Sequence, residues 1–272
     1  MSLGTVSNKE ATATEAMAGP YREARGWIAE ASQVHLDETM WREAETDGWL
    51  WVIADGEVAA YLVDESRGSE VAEDLLDGQP SGRVVTDRHT AYNWIRTESR
   101  QICLPHLHRN FKGWALEEGL TGEIGGLLAS YMKELFVWLG RIRDGTIGDE
   151  EFRDRVAELR DQISTALQIG ASASNQPERF EQLLGIEEAM WTFLDVDGLP
   201  ADNNAAERAL RGAVLWRKQS FGTESDRGSR YVERMLTAAE TLKRQGRPVM
   251  DFLEEIWRDA MFDEPTPSLL PA

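Results

Sequence analysis

The most informative segment of this sequence is DNNAAERALRGAVLWRKQSFGTESDRGSRYVERML, from Asp202 to Leu236. It opens with an aspartate and two asparagines, residue types that cap helices because their side-chain oxygens accept hydrogen bonds from free N–H groups. We therefore predict that Asp202 caps a helix whose first turn begins at Asn203. Asn203 and Asn204 precede Glu207 by four and three residues, so both amides are expected to share a helix face with its carboxylate.

Two short apolar runs upstream each stop at an aspartate: VHLD ends at Asp37 and VVTD ends at Asp87. An aspartate that closes an apolar β-run is expected at the carboxyl edge of a sheet, where open α/β folds bind their ligands. The chain contains 48 Asp and Glu residues, so three acids with a suitable spacing can occur by chance. Only their positions in the predicted strands and helix distinguish site residues from surface acids. Acids at two strand ends and on one helix suit magnesium-dependent phosphodiester chemistry, because each Mg²⁺ takes only one or two protein carboxylates.

Size and composition allow one large domain, or a domain with an inserted subdomain. The chain has 272 residues, 42% of them hydrophobic, and ten tryptophans, which is enough for a sizeable core. Its one cysteine, Cys103, excludes an internal disulfide and a Cys-rich zinc finger. The sequence contains no long apolar run, secretory leader or lipidation signal, so we expect a cytoplasmic protein without a membrane partner.

The formal net charge of −19 opposes binding to a polyanion, because proteins that grip DNA usually neutralise phosphates with a basic surface. The 29 basic residues comprise 24 Arg and 5 Lys, since 24 + 5 = 29. This bias, together with the acidic excess, favours a halophilic source. In molar salt the Debye length is about 3 Å, so overall acidity repels DNA little while local arginines can still bind phosphate. An acidic protein without a nucleic-acid partner is the alternative.

Local patterns predict strands in the first third of the chain and helices afterwards. We expect a helix over residues 8–31, interrupted or started near Pro20. Two strands joined through Asp55 and Gly56 should form a hairpin, because Gly56 supplies the positive φ of a tight turn. The predicted strands are Trp49–Ala54, Val58–Val63 and Arg83–Thr86, and a short helix is predicted over Ser69–Leu76.

The middle of the chain has helical periodicity. Apolar residues repeat at spacings of three and four in two stripes, which we interpret as core: Tyr131, Leu135, Trp138 and Ile142, then Phe152, Val156, Leu159 and Ile163. A loop over Gly170–Pro177 and later helices over Tyr231–Gln245 and Val249–Phe262 follow. The predicted divisions are a helical segment at 1–33, a first core part at 34–111, a helical insertion at 112–197, a second core part with C-terminal helices at 198–262, and a disordered tail at 263–272.

Five segments, in order, resemble the catalytic region of transposases of the insertion sequence 66 family. They are HLDETMW, VVTDRHTAYN, QICLPHLHRNF, LPADNNAAERALR and LWRKQSFGTESDRGSRYVERML, and the likeness runs from about His35 to Phe252. The resemblance implies a mixed α/β fold with an RNase H-like core, a mixed sheet and a large helical insertion. It also implies an Asp, Asp, Glu triad at Asp37, Asp87 and Glu207, with spacings of 87 − 37 = 50 and 207 − 87 = 120.

The same resemblance implies an activity and its partners. The triad of such enzymes holds two divalent ions, Mg²⁺ or Mn²⁺, that activate water to cut DNA at the element's end. The freed 3′ hydroxyl then attacks target DNA. The implied partners are element ends and target DNA, further copies of the chain in a homo-oligomer, and accessory proteins of the same element.

Further residues are assigned a role in the site or in DNA binding. Cys103 and His106 resemble a pair that supports the site in several transposase groups, although a buried thiol beside a hydrogen-bonded histidine is the alternative and two ligands make no zinc site. Asn203 and Asn204 are expected to support Glu207. Four basic residues are candidates for phosphate contacts, with solvated ion pairs as the alternative: Arg208, Arg211, Arg217 and Lys218. We interpret Trp216 and Phe221 as packing residues rather than base-stacking platforms.

Two features depart from the family pattern. Arg88 follows Asp87 where the family commonly has glycine, which puts a bulky cation beside the candidate site. The start MSLGTVSN suggests the remnant of upstream DNA-recognition modules, so a truncated copy is expected. Three hypotheses remain at this point: a transposase catalytic domain, an RNase H-like nuclease or inactive remnant, and a non-catalytic acidic helical interaction protein whose three acids lie far apart.

Overall fold

A computed structural model describes residues 2–262 and 266–271, and it confirms the mixed α/β class. These described residues form ten α-helices and one five-stranded mixed sheet. They divide into two compact units: Met1–Arg100 with Asn203–Ala272, and Gln101–Asp202. None of the helices in the described ranges is long and apolar enough to span a membrane.

The first unit begins with two helices, continues with the strands and one short helix, and ends with three longer helices. The strands are β1 (Gln33–Glu43), β2 (Thr46–Ala54), β3 (Ala59–Asp64), β4 (Arg83–Thr86) and β5 (Arg100–Ile102), and the boundary between the units falls inside β5. The helices are α1 (Leu3–Ala16), α2 (Ala18–Glu30), α3 (Ser69–Leu76), α8 (Asn204–Ser220), α9 (Asp226–Arg244) and α10 (Val249–Phe262). Short 3₁₀ turns cover Thr90–Tyr92 and Thr97–Ser99.

The sheet has the order β3-β2-β1-β4-β5. β1 pairs antiparallel with β2, and β2 pairs antiparallel with β3, whereas β1 pairs parallel with β4. The parallel ladder joins Gln33 to Arg83, Val34 to Val84 and His35 to Val85, so partners on β1 and β4 differ by 50 in residue number. This offset positions the candidate acids of the two strands.

Alternation along the strands gives each face of the sheet its own core. Val34 and Leu36 of β1 belong to one buried cluster, with Ile28 of α2, Val71 of α3 and Phe252 of α10. The opposite face, with Trp41, Leu50 and Val52, packs against four small or medium residues of α8: Ala206, Ala209, Leu210 and Ala213. Because alanines have short side chains, α8 approaches β1 and β2 closely.

β1 is longer than the apolar run that predicted it. It continues through Asp37 to Glu43, because residues up to Glu43 pair with β2 as far as Thr46. The prediction that Asp37 closes its strand is therefore wrong, since Asp37 lies inside β1. Asp87 follows the last residue of β4, as the sequence predicts.

The predicted hairpin between β2 and β3 is present, but the reason given for it is wrong. The φ angle of Gly56 lies outside the left-handed region. The turn is instead closed by Asp55, whose carboxylate accepts hydrogen bonds from the N–H groups of Glu57 at 2.7 Å and Val58 at 2.6 Å. A side chain that accepts from the backbone two or three residues on holds the turn without glycine's conformational freedom.

Two other predictions concern the two ends of the chain, namely the helix near Pro20 and the disordered tail. α1 and α2 meet at Met17, and Pro20 lies in the first turn of α2, where its missing N–H has no intrahelical partner to lose. The disorder predicted for the tail is wrong for residues 266–271: Leu269 is buried, its N–H donates to Glu23 at 3.3 Å, and its carbonyl accepts from Gln245 at 2.8 Å. Residues 263–265 and 272 lie outside the described residues.

The second unit is helical beyond Ile102. It contains α4 (Leu104–Trp114), α5 (Leu120–Arg143), α6 (Asp149–Ala173) and α7 (Pro177–Leu184), with 3₁₀ turns at Glu187–Met190 and Thr192–Leu194. The α6 stripe predicted as core is buried, and Leu135 of the α5 stripe is buried with its neighbours packed against the same cluster. α6 extends to Ala173, so the loop predicted from Gly170 begins later.

Candidate active site

Asp37 lies on β1, and Asp87 lies directly after β4, the parallel neighbour of β1. The β1–β4 ladder pairs residues that differ by 50, and continuing it from His35 and Val85 by two residues brings Asp37 level with Asp87. Because side chains alternate along a strand, Asp37 projects to the same face as His35. Adjacent strands lie about 4.8 Å apart, so we expect the two carboxylates to lie close enough to share a ligand.

Glu207 reaches this region through the start of α8. The helix begins at Asn204, and Asn203 occupies the N-cap position, so the prediction that Asp202 caps the helix is wrong. The buried Asn203 side chain donates from Nδ2 to the Leu36 carbonyl at 2.9 Å, and its Oδ1 accepts from His35 Nδ1 at 3.0 Å. Asn203 thus attaches the start of α8 to β1 directly before Asp37. Glu207 follows in the first turn, with its N–H bonded to the Asn203 carbonyl at 3.1 Å.

The negative charges of Asp87 and Glu207 act on the Asp37 carboxyl group. Burial, then the negative charges of Glu38, Asp87 and Glu207, raise the pKa of Asp37 to about 8, against a smaller lowering by the Glu38 N–H. That N–H donates to Asp37 Oδ1 at 2.9 Å. Such a group of acids repels itself unless a cation or a proton intervenes. The oxygen-only donor set and its unfavourable charge fit a hard divalent cation.

A buried arginine supports the backbone around Asp87. Arg100 is 1% exposed, and its guanidinium donates to Thr86 Oγ1 at 2.9 Å and to the Asp87 carbonyl at 2.9 Å. It also donates to the Tyr92 carbonyl at 3.0 Å and to Asn93 Oδ1 at 3.1 Å. The Asp87 carboxylate accepts from the His89 N–H at 2.7 Å, which fixes the turn after β4. Sequence reasoning missed Arg100, because nothing local distinguishes it from a surface arginine.

Glu38, the residue after Asp37, forms a second buried network on the opposite face of β1. Its carboxylate accepts a hydrogen bond from Arg67 Nε at 2.7 Å and another from the Tyr92 hydroxyl. The Arg67 guanidinium lies 4.3 Å from the centre of the Trp49 ring. This network fixes β1 at the level of Asp37. The only sequence signal for it was an acid inside a strand pattern.

The predicted DNA-contacting residues differ in their surroundings. Arg208, Arg211 and Lys218 are exposed on α8. Arg217 is half-buried, and its guanidinium donates to Thr39 Oγ1 at 3.2 Å and to the Met40 carbonyl. Arg217 therefore also joins α8 to β1, a role that the sequence did not indicate.

The two aromatic residues near the end of α8 also differ from each other. Trp216 packs against the core and meets Tyr231 edge to face, with ring centres 6.3 Å apart, as expected of a packing residue. Phe221 is 79% exposed, so its interpretation as a packing residue is wrong.

The remaining candidates lie in two places. In the second unit, Cys103 is buried directly before α4, and its Sγ lies 3.1 Å from His106 Nδ1. In the first unit, Asn204 is exposed and Arg88 is half-buried beside Asp87. A cavity of about 300 Å³ in the first unit lies elsewhere, and no candidate site residue lines it.

Comparison with known proteins agrees with the motifs. The family model described as Transposase IS66 family matches residues 1–231. A protein from Sinorhizobium fredii, called uncharacterized protein y4qI, is 25% identical over 265 residues, covering 84% of this chain and 48% of that protein, so the chain spans about half of its relative's length. No solved structure matches. Members of the matched family are transposases, and they generally use divalent metal ions. Since the match covers 231 of 272 residues, the chain belongs to the IS66 family of transposases.

Proposed function

We propose that the first unit is an RNase H-like catalytic core that cuts DNA and joins the freed 3′ end to target DNA. Asp37, Asp87 and Glu207 are its catalytic residues and would hold two divalent cations, Mg²⁺ or Mn²⁺. One observation carries the proposal: the spacing of 50 residues between the aspartates equals the register offset of β1 and β4. Two acids chosen by chance among 48 would rarely share that register.

The chain's own contribution is to hold three acids on rigid elements. β1 holds Asp37, the turn after β4 holds Asp87, and Asn203 attaches the glutamate helix to β1. When bound, paired cations activate the attacking oxygen and stabilise the leaving oxygen of an in-line displacement. Because the Asp37 pKa is raised to about 8, cation binding near neutral pH must displace a proton from this carboxyl group.

DNA is proposed to lie along the exposed face of α8 that begins beside Glu207. Arg208, Arg211 and Lys218 recur on that face at spacings of three and seven residues, which places them about one and two helical turns apart. Arginine and lysine side chains position a duplex through its phosphates without reading sequence.

The test replaces each acid singly with alanine. Asp37→Ala, Asp87→Ala and Glu207→Ala should each lower Mg²⁺-dependent DNA cleavage by at least about 100-fold. Losing a residue that only orients a metal ligand lowers activity by about 10- to 100-fold, and losing the ligand itself should lower it more. Glu45→Ala removes an exposed acid from the β1–β2 turn and should cleave like the wild type. Unchanged cleavage in all three site variants would refute the assignment.

Two further measurements separate the other hypotheses. With pre-cut ends, a transposase joins DNA, whereas a nuclease only releases fragments. Mn²⁺ should raise the unfolding temperature of the wild type, because a ligand that binds only the folded state stabilises it, and should raise that of Asp37→Ala much less. An inactive remnant would bind Mn²⁺ without cleaving, and a non-catalytic interaction protein would do neither.

A further inference from the structure

Phe221 combines exposure with an unfavourable backbone conformation. It ends α8 with φ 63° and ψ 15°, in the left-handed region, and its side chain is 79% exposed. Bulky side chains rarely adopt this conformation, which persists only where the surroundings impose it and which clusters at functional sites. The exposed ring gains no burial in return.

The loop after Phe221 is clamped to the end of β1. The Phe221 N–H donates to the Arg217 carbonyl at 2.7 Å. Gly222 has φ 108° and lies so close to the Arg42 carbonyl that an added Cβ would be 2.1 Å from its oxygen. The Thr223 N–H donates to the same carbonyl at 2.9 Å, and the Thr223 carbonyl accepts from Ala44 at 2.6 Å. These contacts fix the backbone that presents the ring to solvent.

The ring ends a basic stripe on α8. Arg208, Arg211, Leu215 and Lys218 are exposed at spacings of three or four residues, and Phe221 follows three residues after Lys218. α8 carries four basic residues and one acid, Glu207, in a chain whose net charge is −19. The stripe is therefore complementary to a polyanion, and DNA is the polyanion that the proposed function supplies.

The surroundings of the Phe221 ring favour contact with a base of DNA over contact with a phosphate. The loop that follows carries the exposed acid Glu224, which repels phosphate. A phenyl ring has no polar atom, whereas every base has a face on which it can stack. From Glu207 to Phe221 the helix rises about 21 Å, at 1.5 Å for each of 14 residues, which equals about six nucleotide steps of 3.4 Å.

We propose that Phe221 stacks on an unpaired base of the DNA held along α8, about six nucleotides from the phosphate at the carboxylates. This inference rests on the proposed function, because it places the same DNA on the same helix. It assigns the ring a role in holding a distorted or single-stranded end, separate from the chemistry.

The test uses DNA duplexes with a single-stranded overhang, carrying one 2-aminopurine at successive positions. Wild-type protein should quench the fluorescence at one or two positions. Phe221→Ala and Phe221→Leu should lose that quenching and weaken binding by roughly 5- to 150-fold, while Phe221→Trp should retain both. Phe262→Ala is the matched control, because Phe262 is a 69% exposed ring on α10 and its loss should change neither signal.

Phe221→Gly separates the backbone from the ring. Glycine adopts the left-handed region freely, so this variant should unfold at a higher temperature than Phe221→Ala, yet bind DNA as weakly. Position-independent quenching, or wild-type binding by Phe221→Ala, would overturn the proposal. A change in oligomeric state with unchanged DNA binding would assign the ring to a contact between copies and would also overturn it. Asp37→Ala should keep the quenching while losing cleavage, so failure of the catalytic assignment is distinguishable.

Discussion

Asn203 is the residue through which two distant segments form one site. It bonds to His35 and Leu36, which are 168 and 167 positions away in the chain. Asn203→Ala removes both hydrogen bonds from a buried position, so we expect a loss of about 1–3 kcal/mol in the free energy of unfolding. Cleavage should fall about 10- to 100-fold, because Glu207 loses its alignment with Asp37.

Asn8→Ala is the control for Asn203→Ala, since Asn8 is an exposed asparagine on α1. Urea unfolding and single-turnover cleavage measure the two effects. Asn203→Asp keeps the side chain's shape but cannot donate to the Leu36 carbonyl, and it should resemble the alanine variant in cleavage. Wild-type cleavage by Asn203→Ala would show that α8 is positioned by other contacts, Arg217 foremost.

Glu233 gives the fold a pH dependence of its own. Burial raises its pKa to about 7, although the Val63 N–H and the charges of Arg230 and Arg234 lower it. The folded state therefore holds this proton more tightly than the unfolded chain, and the free energy of unfolding should fall as pH rises from about 4.5 to about 7. Glu233→Gln removes this dependence and should stabilise the protein at pH 8 by up to about 3 kcal/mol, at 1.36 kcal/mol per pKa unit.

Urea unfolding of the wild type and Glu233→Gln between pH 4 and 8 measures this difference. Comparing the two proteins cancels the titration of Asp37, which is common to both. Glutamine keeps an oxygen that can accept from Val63, as Glu233 Oε1 does at 2.8 Å. Parallel stability curves for the two proteins would contradict the assignment.

Side chains of α9 accept the hydrogen bonds that a neighbouring strand would otherwise accept from the edge of β3. The N–H groups of Ala59, Tyr61 and Val63 donate to Thr241 Oγ1 at 3.0 Å, Thr237 Oγ1 at 3.1 Å and Glu233 Oε1 at 2.8 Å. The acceptors on α9 are four residues apart, which is a rise of about 6.0 Å, and the donors on β3 are two residues apart, which is about 6.6 Å. The acceptors of the helix are therefore spaced like the donors of the strand. The helix thereby satisfies a sheet edge that would otherwise invite pairing with another chain.

Thr237→Val tests this edge arrangement with little change in shape. It removes the acceptor for the Tyr61 N–H at a buried position, so we expect a loss of about 1–3 kcal/mol in unfolding free energy and more aggregation on warming. Urea titration and light scattering report the two effects. Thr46→Val, at an exposed threonine of β2, is the control and should match the wild type.

Local signals predicted several elements, and contacts between distant residues account for the rest. The bounds of α3, β4 and α10 agree with the sequence, because apolar periodicity and turn residues mark both ends of each. The continuation of β1 past Asp37 escaped prediction, since its later residues include charges and form a strand only by pairing with β2. The buried positions of Arg100 and Asn203 likewise depend on partners that no local pattern reveals.

The molecule as a whole is acidic, but α8 is basic, and this separation of charge should determine how salt affects DNA binding. A protein that neutralises Z phosphates loses affinity with a slope of about −0.9Z in a plot of log K against log salt. If DNA lies along α8, Arg208→Ala, Arg211→Ala and Lys218→Ala should each make this slope shallower by about 0.9. Arg217→Ala should instead lower stability, because its guanidinium bonds to Thr39 and Met40 of β1. Arg143→Ala, an exposed arginine of α5, is the control, and equal slopes for all these variants would place the DNA on another surface.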